Sequence, residues 1–310
     1  MKLIKAFNFA PFFKSSLDIK IAKESLLKMK TKTNANSVIL TPPGLQSTAQ
    51  STIIDFTGEE FISDSTLTEL IEYAKELELI VILKPTVNCS NGTWRAFINF
   101  FDVDVPCEPK WSDWFDSHIQ FHKHYAKIAE KTNCYMYICG CEMVMADRKV
   151  EHFRNLIKEV KKDFSGLVSY NCDKYQEDHV QFWDSVDVIS SSGYYPLGEM
   201  KQNFDRIKKV VQKYNKDFFF AEAGCMSSAG SEKVPNNWEY AGELNHKTQA
   251  IWLNEFLEEC RNTDFISGVG IWDWHYQLFT KEEAEKDKGY SVSEKEAESI
   301  VKHHFEEWKK

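Results

Sequence analysis

The sequence predicts a single (β/α)₈ barrel, a TIM barrel of the α/β class, occupying residues 1–310 as one domain. Three observations carry that expectation. Eight short apolar runs alternate with helical patterns from one end of the chain to the other. The runs are continuously apolar rather than alternating, as strands buried on both faces require. A chain of 310 residues suits one large barrel, and no Pro-, Gly- or Ser-rich linker or long repeat divides it. A doubly wound sheet with a small second domain is the competing arrangement.

The first run, 3–8, leads into a helical pattern over 15–33. A second, 37–41, is followed by a loop and a helix near 64–77. Asp64 and Ser65 open that helix, with Glu69 and Glu72 early and Lys75 late, as capping and the helix dipole favour. The third run, 79–84, precedes a long pattern over 113–131. Runs at 135–141, 167–171, 186–192 and 218–222 precede patterns near 147–162, 175–184, 199–214 and 243–262. The eighth, 268–273, comes before a closing helix at 292–309. The stretch from 281 to 310 is rich in charge and reads as a solvated face.

Composition narrows the function. The 38 Lys and Arg against 47 Asp and Glu leave a net charge of −9, which argues against nucleic acid, whose binding needs a basic footprint. The longest purely apolar stretch, Leu79 to Leu83, is far short of the roughly 20 residues of a membrane span. The first eight residues carry a Lys within their apolar stretch and do not read as a signal peptide. Eight Cys without a C-x-x-C pair or framework spacing read as buried reduced thiols, so a cytoplasmic protein is expected. Asn88-Cys89-Ser90 and Asn91-Gly92-Thr93 then read as turn chemistry rather than glycan sites. With 9 Trp and 12 Tyr, there is ample material for a cleft that stacks sugar rings.

A parallel barrel carries its active site at the C-terminal ends of its strands. Reading each run to its end gives Asn8, Lys84 with Asn88, Glu142, Asn171, Tyr194, Glu222, and Trp272 with Asp273. Glu142 and Glu222 close otherwise apolar fourth and seventh strands, so they face each other across the mouth. A carboxylate there must be solvated, paired or functional, because burying a lone charge costs several kcal/mol. Two facing carboxylates suit glycoside hydrolysis, one donating a proton to the leaving oxygen and the other attacking the anomeric carbon. Pairing of each Glu with a neighbouring Lys or Arg is the plainer alternative.

Trp94, Tyr194, Tyr195, Trp238, Trp272 and Trp274 fall in or beside strand-end segments, where each divides between packing and ligand contact. Tyr194 shares a strand face with Ser192, and its phenol is placed to hydrogen-bond a nucleophile. Lys84 ends the third strand and suits a sugar contact or an ion pair, or a Schiff base if desolvated. Metal chemistry has little support. His122-Lys123-His124 lies on a helix, where alternate positions do not share a face, and no H-E-x-x-H, phosphate loop or G-x-S-x-G elbow is present. Cys139 and Cys141 share a strand face but lack the partners of a zinc site. No cofactor is expected.

Several segments, taken together, resemble glycoside hydrolase family 113, the β-mannanases. Lys84-Pro85-Thr86-Val87-Asn88 followed by Gly92-Thr93-Trp94-Arg95 is similar to that family's third strand and loop. Gly193-Tyr194-Tyr195-Pro196-Leu197 is similar to the segment after its sixth strand. Phe220-Ala221-Glu222-Ala223-Gly224 with Ser227-Ser228-Ala229-Gly230 resembles its nucleophile strand, and Gly268 to Trp274 its eighth. The resemblance spans essentially the whole chain in order. It implies a metal-free retaining barrel that cleaves β-1,4-mannan chains or manno-oligosaccharides and often transglycosylates, with Glu142 as acid/base and Glu222 as nucleophile. It also suggests Asn8, Lys84, Asn88, Trp94, Tyr194, Trp238 and Trp272 as sugar-binding residues.

Two positions depart from the pattern. Many members of the wider clan carry Asn before the acid/base, where its amide contacts the sugar 2-hydroxyl; Cys141 stands there. Ser192 stands where an Asp is expected on strand six. The expectation is therefore a cytoplasmic retaining hydrolase whose partner is a β-mannan oligosaccharide or polysaccharide, with no nucleic-acid or membrane partner. The rivals are the same chemistry on a cellulose- or xylan-derived glycan, a Schiff-base lyase built on Lys84, and a carbohydrate-binding barrel without turnover.

Overall fold

The computed structural model describes residues 1–10 and 17–309. In chain order its elements are β1 (Ile4–Ala10), α1 (Ile19–Thr33), β2 (Ser37–Leu40), β3 (Pro43–Gln46), α2 (Asp64–Glu76), β4 (Ile80–Leu83), β5 (Thr86–Cys89), α3 (Trp111–Lys131), β6 (Met136–Cys141), α4 (Val150–Asp163), β7 (Leu167–Cys172), β8 (Val188–Ser192), α5 (Met200–Tyr214), β9 (Asp217–Ala223), α6 (His246–Arg261), β10 (Ile266–His275), α7 (Lys281–Lys286) and α8 (Glu296–Glu307). The closed parallel barrel runs β1-β2-β4-β6-β7-β8-β9-β10 and back to β1. Each of the eight apolar runs is therefore a barrel strand. Residues 15 and 16 of the expected first helix lie outside the described residues.

The barrel interior is filled by Ile4, Ala6, Ile39, Ile82, Met136, Ile138, Val188, Phe219 and Ala221. The alternate residues of the same strands, such as Phe7, Tyr137, Ile189 and Phe218, join the larger core under the helices. Strands buried on both faces in this way have no polar face to show, which is why the runs are continuously apolar.

Three expectations are corrected. No helix forms over 175–184, where the chain runs in turns. Glu177, Val180, Phe182 and Trp183 are all buried, and they spread over too wide an arc to form one helical stripe. Phe182 instead stacks on Phe153 of α4, with ring centroids 4.7 Å apart, and covers the barrel where a helix was expected. The helix α2 does begin at Asp64 as expected, capped from the residue before by Ser63, whose Oγ accepts from the Thr66 N–H at 3.1 Å. The charged tail is not wholly solvated, since Val292, Lys295, Val301 and Phe305 are buried. Cys139 and Cys141 do not share a face. Gly140 adopts φ 137° at a register shift between β6 and β7, and any side chain there would meet the Tyr170 ring, 2.8 Å from the Cβ position. The shift sends Cys139 into the core under the helices and Cys141 into the mouth.

The extra pair β3 and β5 continues the pairing of β2 and β4 above the rim, from Pro43 opposite Thr86 to Gln46 opposite Cys89. Pro42, Pro43 and Pro85 lack the N–H that would carry one unbroken ladder upward. The raised ribbon lifts Asn88 and the loop after it over the mouth. Among the described residues no helix is long and apolar enough to cross a membrane.

On α3, His118 and His122 are fully buried, their Nε2 atoms 3.0 Å apart. Tyr137 Oη donates to the His122 carbonyl at 2.9 Å, so it accepts from His122 Nδ1, also at 2.9 Å. His122 Nε2 is then the acceptor and His118 Nε2 the donor. Burial pushes the His118 pKa down to about 3 and drives that of His122 well down, helped by its neighbour. An unfolded chain protonates both near pH 6.5 while the fold keeps them neutral, so stability is lost as pH falls below about 6.5. The expected slope is about 1.4 kcal/mol per pH unit for each residue. Urea midpoints at pH 7.5, 6 and 5 will therefore fall stepwise, with a shallower fall in His118→Leu; identical slopes in the two proteins would refute the assignment.

Candidate active site

Glu222 ends the apolar strand β9, where simple alternation would turn it outward with Phe218 and Phe220. Register shifts against both β8 and β10 at this point mark a bulge that turns it inward instead. Asn8 Nδ2 donates to the Ala221 carbonyl at 2.9 Å and lies 3.4 Å from that of Gly270, tying the bulge to β1 and β10. Glu142 follows β6 at a left-handed φ of 51°, uncommon for a residue with a Cβ, and its N–H donates to the Asn171 carbonyl at 2.8 Å.

The two carboxylates are buried at the mouth, and one oxygen of each lies within 4.8 Å of the other and of Cys141 Sγ. Around Glu222, Lys84 Nζ forms a buried ion pair with Oε1, Cys141 Sγ donates to the same oxygen at 3.3 Å, and Tyr194 Oη donates to Oε2 at 3.1 Å. Around Glu142, Ser192 Oγ donates to Oε1 at 2.7 Å and Arg95 Nη1 to Oε2 at 3.0 Å. Arg95 is itself held by Asn88 Oδ1 at 2.7 Å and the Val87 carbonyl at 3.0 Å.

Burial alone would raise the Glu222 pKa. The charges of Lys84 and Arg95 and the bonds from Lys84 and Cys141 outweigh it and hold the carboxyl below its usual range. Burial and the Glu222 charge push the Cys141 thiol well up, which keeps it a protonated donor. Asp173, on the cavity wall, is raised to about 7 by burial and by the charge of Glu142, against the opposing Lys174. One carboxylate here is thus poised as an anion beside a second that faces the same space. Cys141, Glu142 and Glu222 are the one metal-type trio among the described residues, but Lys84 and Arg95 already balance its charge.

A cavity of about 340 Å³ opens above the pair. Asn88, Trp94, Tyr194, Trp238 and Trp272 line it together with both Glu, as do Arg95, Asp173, Lys174, Asn236 and Tyr290. Trp94 and Trp238 meet edge to face at 6.0 Å, and Trp238 is 53% exposed at the rim. Trp94 Nε1 has no hydrogen-bond partner among the described residues. Asn8 and Lys84 do not reach this lining; both are fully buried beneath it. Lys84 is committed to Glu222, with its Nζ 5.5 Å from the centroid of the Trp272 ring, rather than free as a Schiff-base amine. Tyr195 and Trp274 pack in the core.

Sequence reasoning did not assign Arg95, Asp173, Lys174, Asn236 or Tyr290 to the site. Arg95 had a signal, since a cation beside a strand-end Glu is the pairing weighed above. Tyr290 had none, because the charged segment around it reads as solvated.

The model of Glycoside Hydrolase Family 113 matches residues 9–295. A solved GH113 β-1,4-mannanase is 50% identical, with a TM-score of 0.97 over 99% of this chain and 100% of that one. The GH113 β-mannanase of Alicyclobacillus acidocaldarius, solved in complex with ManMIm, is 32% identical, with a TM-score of 0.93 over 99% and 98%. A β-glucuronidase from Ruminococcus gnavus, 15% identical, shares the fold alone, with a TM-score of 0.62 over 98% of this chain and 49% of that one. Comparison with curated proteins finds no match.

Proposed function

Since the chain belongs to glycoside hydrolase family 113, we propose that it hydrolyses β-1,4-mannosidic bonds in mannan or manno-oligosaccharides with retention of configuration. The observation that carries this reading is the spacing of the two carboxylates. Oxygens within 4.8 Å suit a retaining pair, whose carboxyl groups stand about 5–5.5 Å apart, better than an inverting pair, which needs about 6.5–9.5 Å. The choice of mannan rests on the similarity to β-1,4-mannanases.

In the first step a Glu222 oxygen attacks the anomeric carbon while the proton of the Glu142 carboxyl passes to the glycosidic oxygen. The glycosidic bond breaks, leaving a glycosyl ester on Glu222. Glu142, now a carboxylate, takes a proton from water, whose oxygen attacks the same carbon. The ester bond breaks, Glu222 returns to its carboxylate, and two inversions amount to retention. Lys84 and Tyr194 hold the attacking carboxylate in its charged, oriented form. Arg95 and Ser192 orient Glu142, and Asn88 acts on the substrate side partly through Arg95. Trp94, Trp238 and Trp272 supply flat apolar walls for sugar faces, and the unpaired Trp94 N–H offers a donor to a hydroxyl. Asn8 shapes the bulge that aims Glu222. The eight free cysteines suit a reducing cytoplasm, where short oligosaccharides are the accessible substrate.

Proton NMR of the purified protein acting on mannohexaose tests the reading. The β-anomer of the new reducing end should appear first. Early α-anomer would mean inversion and would remove Glu222 as the nucleophile. Turnover of cello- or xylo-hexaose in preference would overturn the sugar assignment.

A further inference from the structure

The polar group that this chain carries in place of an Asn before Glu142 is tied into a buried network that reaches both carboxylates. Asn171, at the end of β7, donates from Nδ2 to Cys141 Sγ at 3.2 Å and to Ser192 Oγ at 3.2 Å. Cys141 Sγ passes its hydrogen to Glu222 Oε1 at 3.3 Å, and Ser192 Oγ passes its own to Glu142 Oε1 at 2.7 Å. The direction of the bonds is set from the Glu222 end. Its ionised carboxylate only accepts, so the thiol must donate outward and can take only a donor from Asn171; the same Nδ2 then donates to Ser192, whose hydroxyl hydrogen is left for Glu142. That orientation leaves Asn171 Oδ1 buried with no hydrogen-bond partner among the described residues. A buried orphan acceptor costs stability, and here the network explains why the amide does not turn over to satisfy it.

We propose that Asn171 is a positioning residue that sets both carboxylates at once, acting through the Cys141 thiol on Glu222 and through the Ser192 hydroxyl on Glu142. The inference rests on the catalytic reading of those two residues. Each of the two amide hydrogens serves one arm, so the spacing of the carboxylates is referred to one rigid group on a barrel strand. The backbone adds a third tie, because the Asn171 carbonyl accepts the Glu142 N–H at 2.8 Å. Cys141 lies opposite Asn171 in the β6–β7 register, which places the thiol in reach without a long side chain. The position needs a group that accepts from Asn171 and donates to Glu222, and the thiol does both through a single atom.

The test compares Asn171→Leu, Cys141→Ala and Cys141→Ser with the unmodified protein on mannohexaose. The charged and titratable groups facing Glu222 are Lys84, Arg95, Cys141, Glu142, Tyr194 and Tyr290. Of these, only the thiol is changed by the Cys141 variants. Cys141→Ala is expected to lower kcat about tenfold to a hundredfold with little change in KM, the size expected for one hydrogen bond to a charged group. It should also move the acid limb of the kcat/KM profile to higher pH, because a donor to the ionised form is gone. Cys141→Ser, which keeps a donor and an acceptor, should restore most of both. Asn171→Leu should lower kcat by a similar factor while thermal unfolding stays close to that of the parent, since the orphan acceptor is removed with the amide. Unchanged kcat and an unmoved acid limb in Cys141→Ala would overturn the proposal, as would failure of Ser to rescue it. These outcomes count against the network only if Glu222→Gln is inactive; a fully active Glu222→Gln would instead refute the catalytic reading beneath it.

Discussion

Replacing Glu222 with Gln is expected to lower kcat on manno-oligosaccharides by on the order of 10⁵-fold, the scale at which a covalent nucleophile contributes. The amide keeps the shape of the side chain and an oxygen to accept from Lys84, but it cannot form the glycosyl ester. Mass spectrometry with a 2-fluoro-mannosyl probe should accordingly label the parent and leave Glu222→Gln unlabelled; a labelled variant would place the nucleophile elsewhere. Glu222→Ala makes a second point. Lys84 has no exposed side-chain surface and pairs with Glu222, so removing the carboxylate strands a buried cation. A loss of about 3–5 kcal/mol is expected from breaking such a pair. Melting curves should therefore place both variants below the parent, with Ala the lower, because Gln leaves Lys84 an oxygen to donate to but no counter-charge.

Glu142→Ala should divide substrates by their leaving group. Natural oligosaccharides need a proton on the departing oxygen, and losing it costs about 10²- to 10⁴-fold. The dinitrophenolate of a 2,4-dinitrophenyl mannoside leaves as a stable anion, so formation of the glycosyl ester from it should be nearly unaffected. Breakdown of that ester then becomes slow, because no base activates water. Azide needs no deprotonation and should restore turnover, giving the β-mannosyl azide. Equal slowing of both substrate types, with no rescue by azide, would remove Glu142 from the acid/base role. The variant also leaves Arg95 without its carboxylate partner, so activity is to be compared at temperatures where a melting curve shows it folded.

The barrel was legible because its physics is local. A strand buried on two faces must be apolar throughout, and 310 residues hold eight such strands with their helices. The one failed helix, near 175–184, marks the limit of periodicity. Phe182 and Trp183 are buried by what they meet on α4 and β7, not by a stripe of their own. Both site carboxylates were legible for a similar reason, as charges closing apolar runs that otherwise have nowhere to put them.

Which way those charges point is a different matter, and it depends on tertiary structure. Counting alternation along β9 turns Glu222 away from the mouth; the bulge that reverses it arises from pairing with β8 and β10, two strands distant in sequence. The same holds for Cys141, which a bulge at Gly140 separates from Cys139. Lys84 and Asn8 looked like ligands for a substrate because they end strands, yet closure of the barrel buries them against Glu222 and the bulge carbonyls. The chain by itself determined which residues are buried and where the charges must gather, since burial follows from composition along each element. Only the closed barrel decided which partner neutralises each charge, because an ion pair or a hydrogen bond depends on angstrom-scale distances between strands that sequence spacing does not contain.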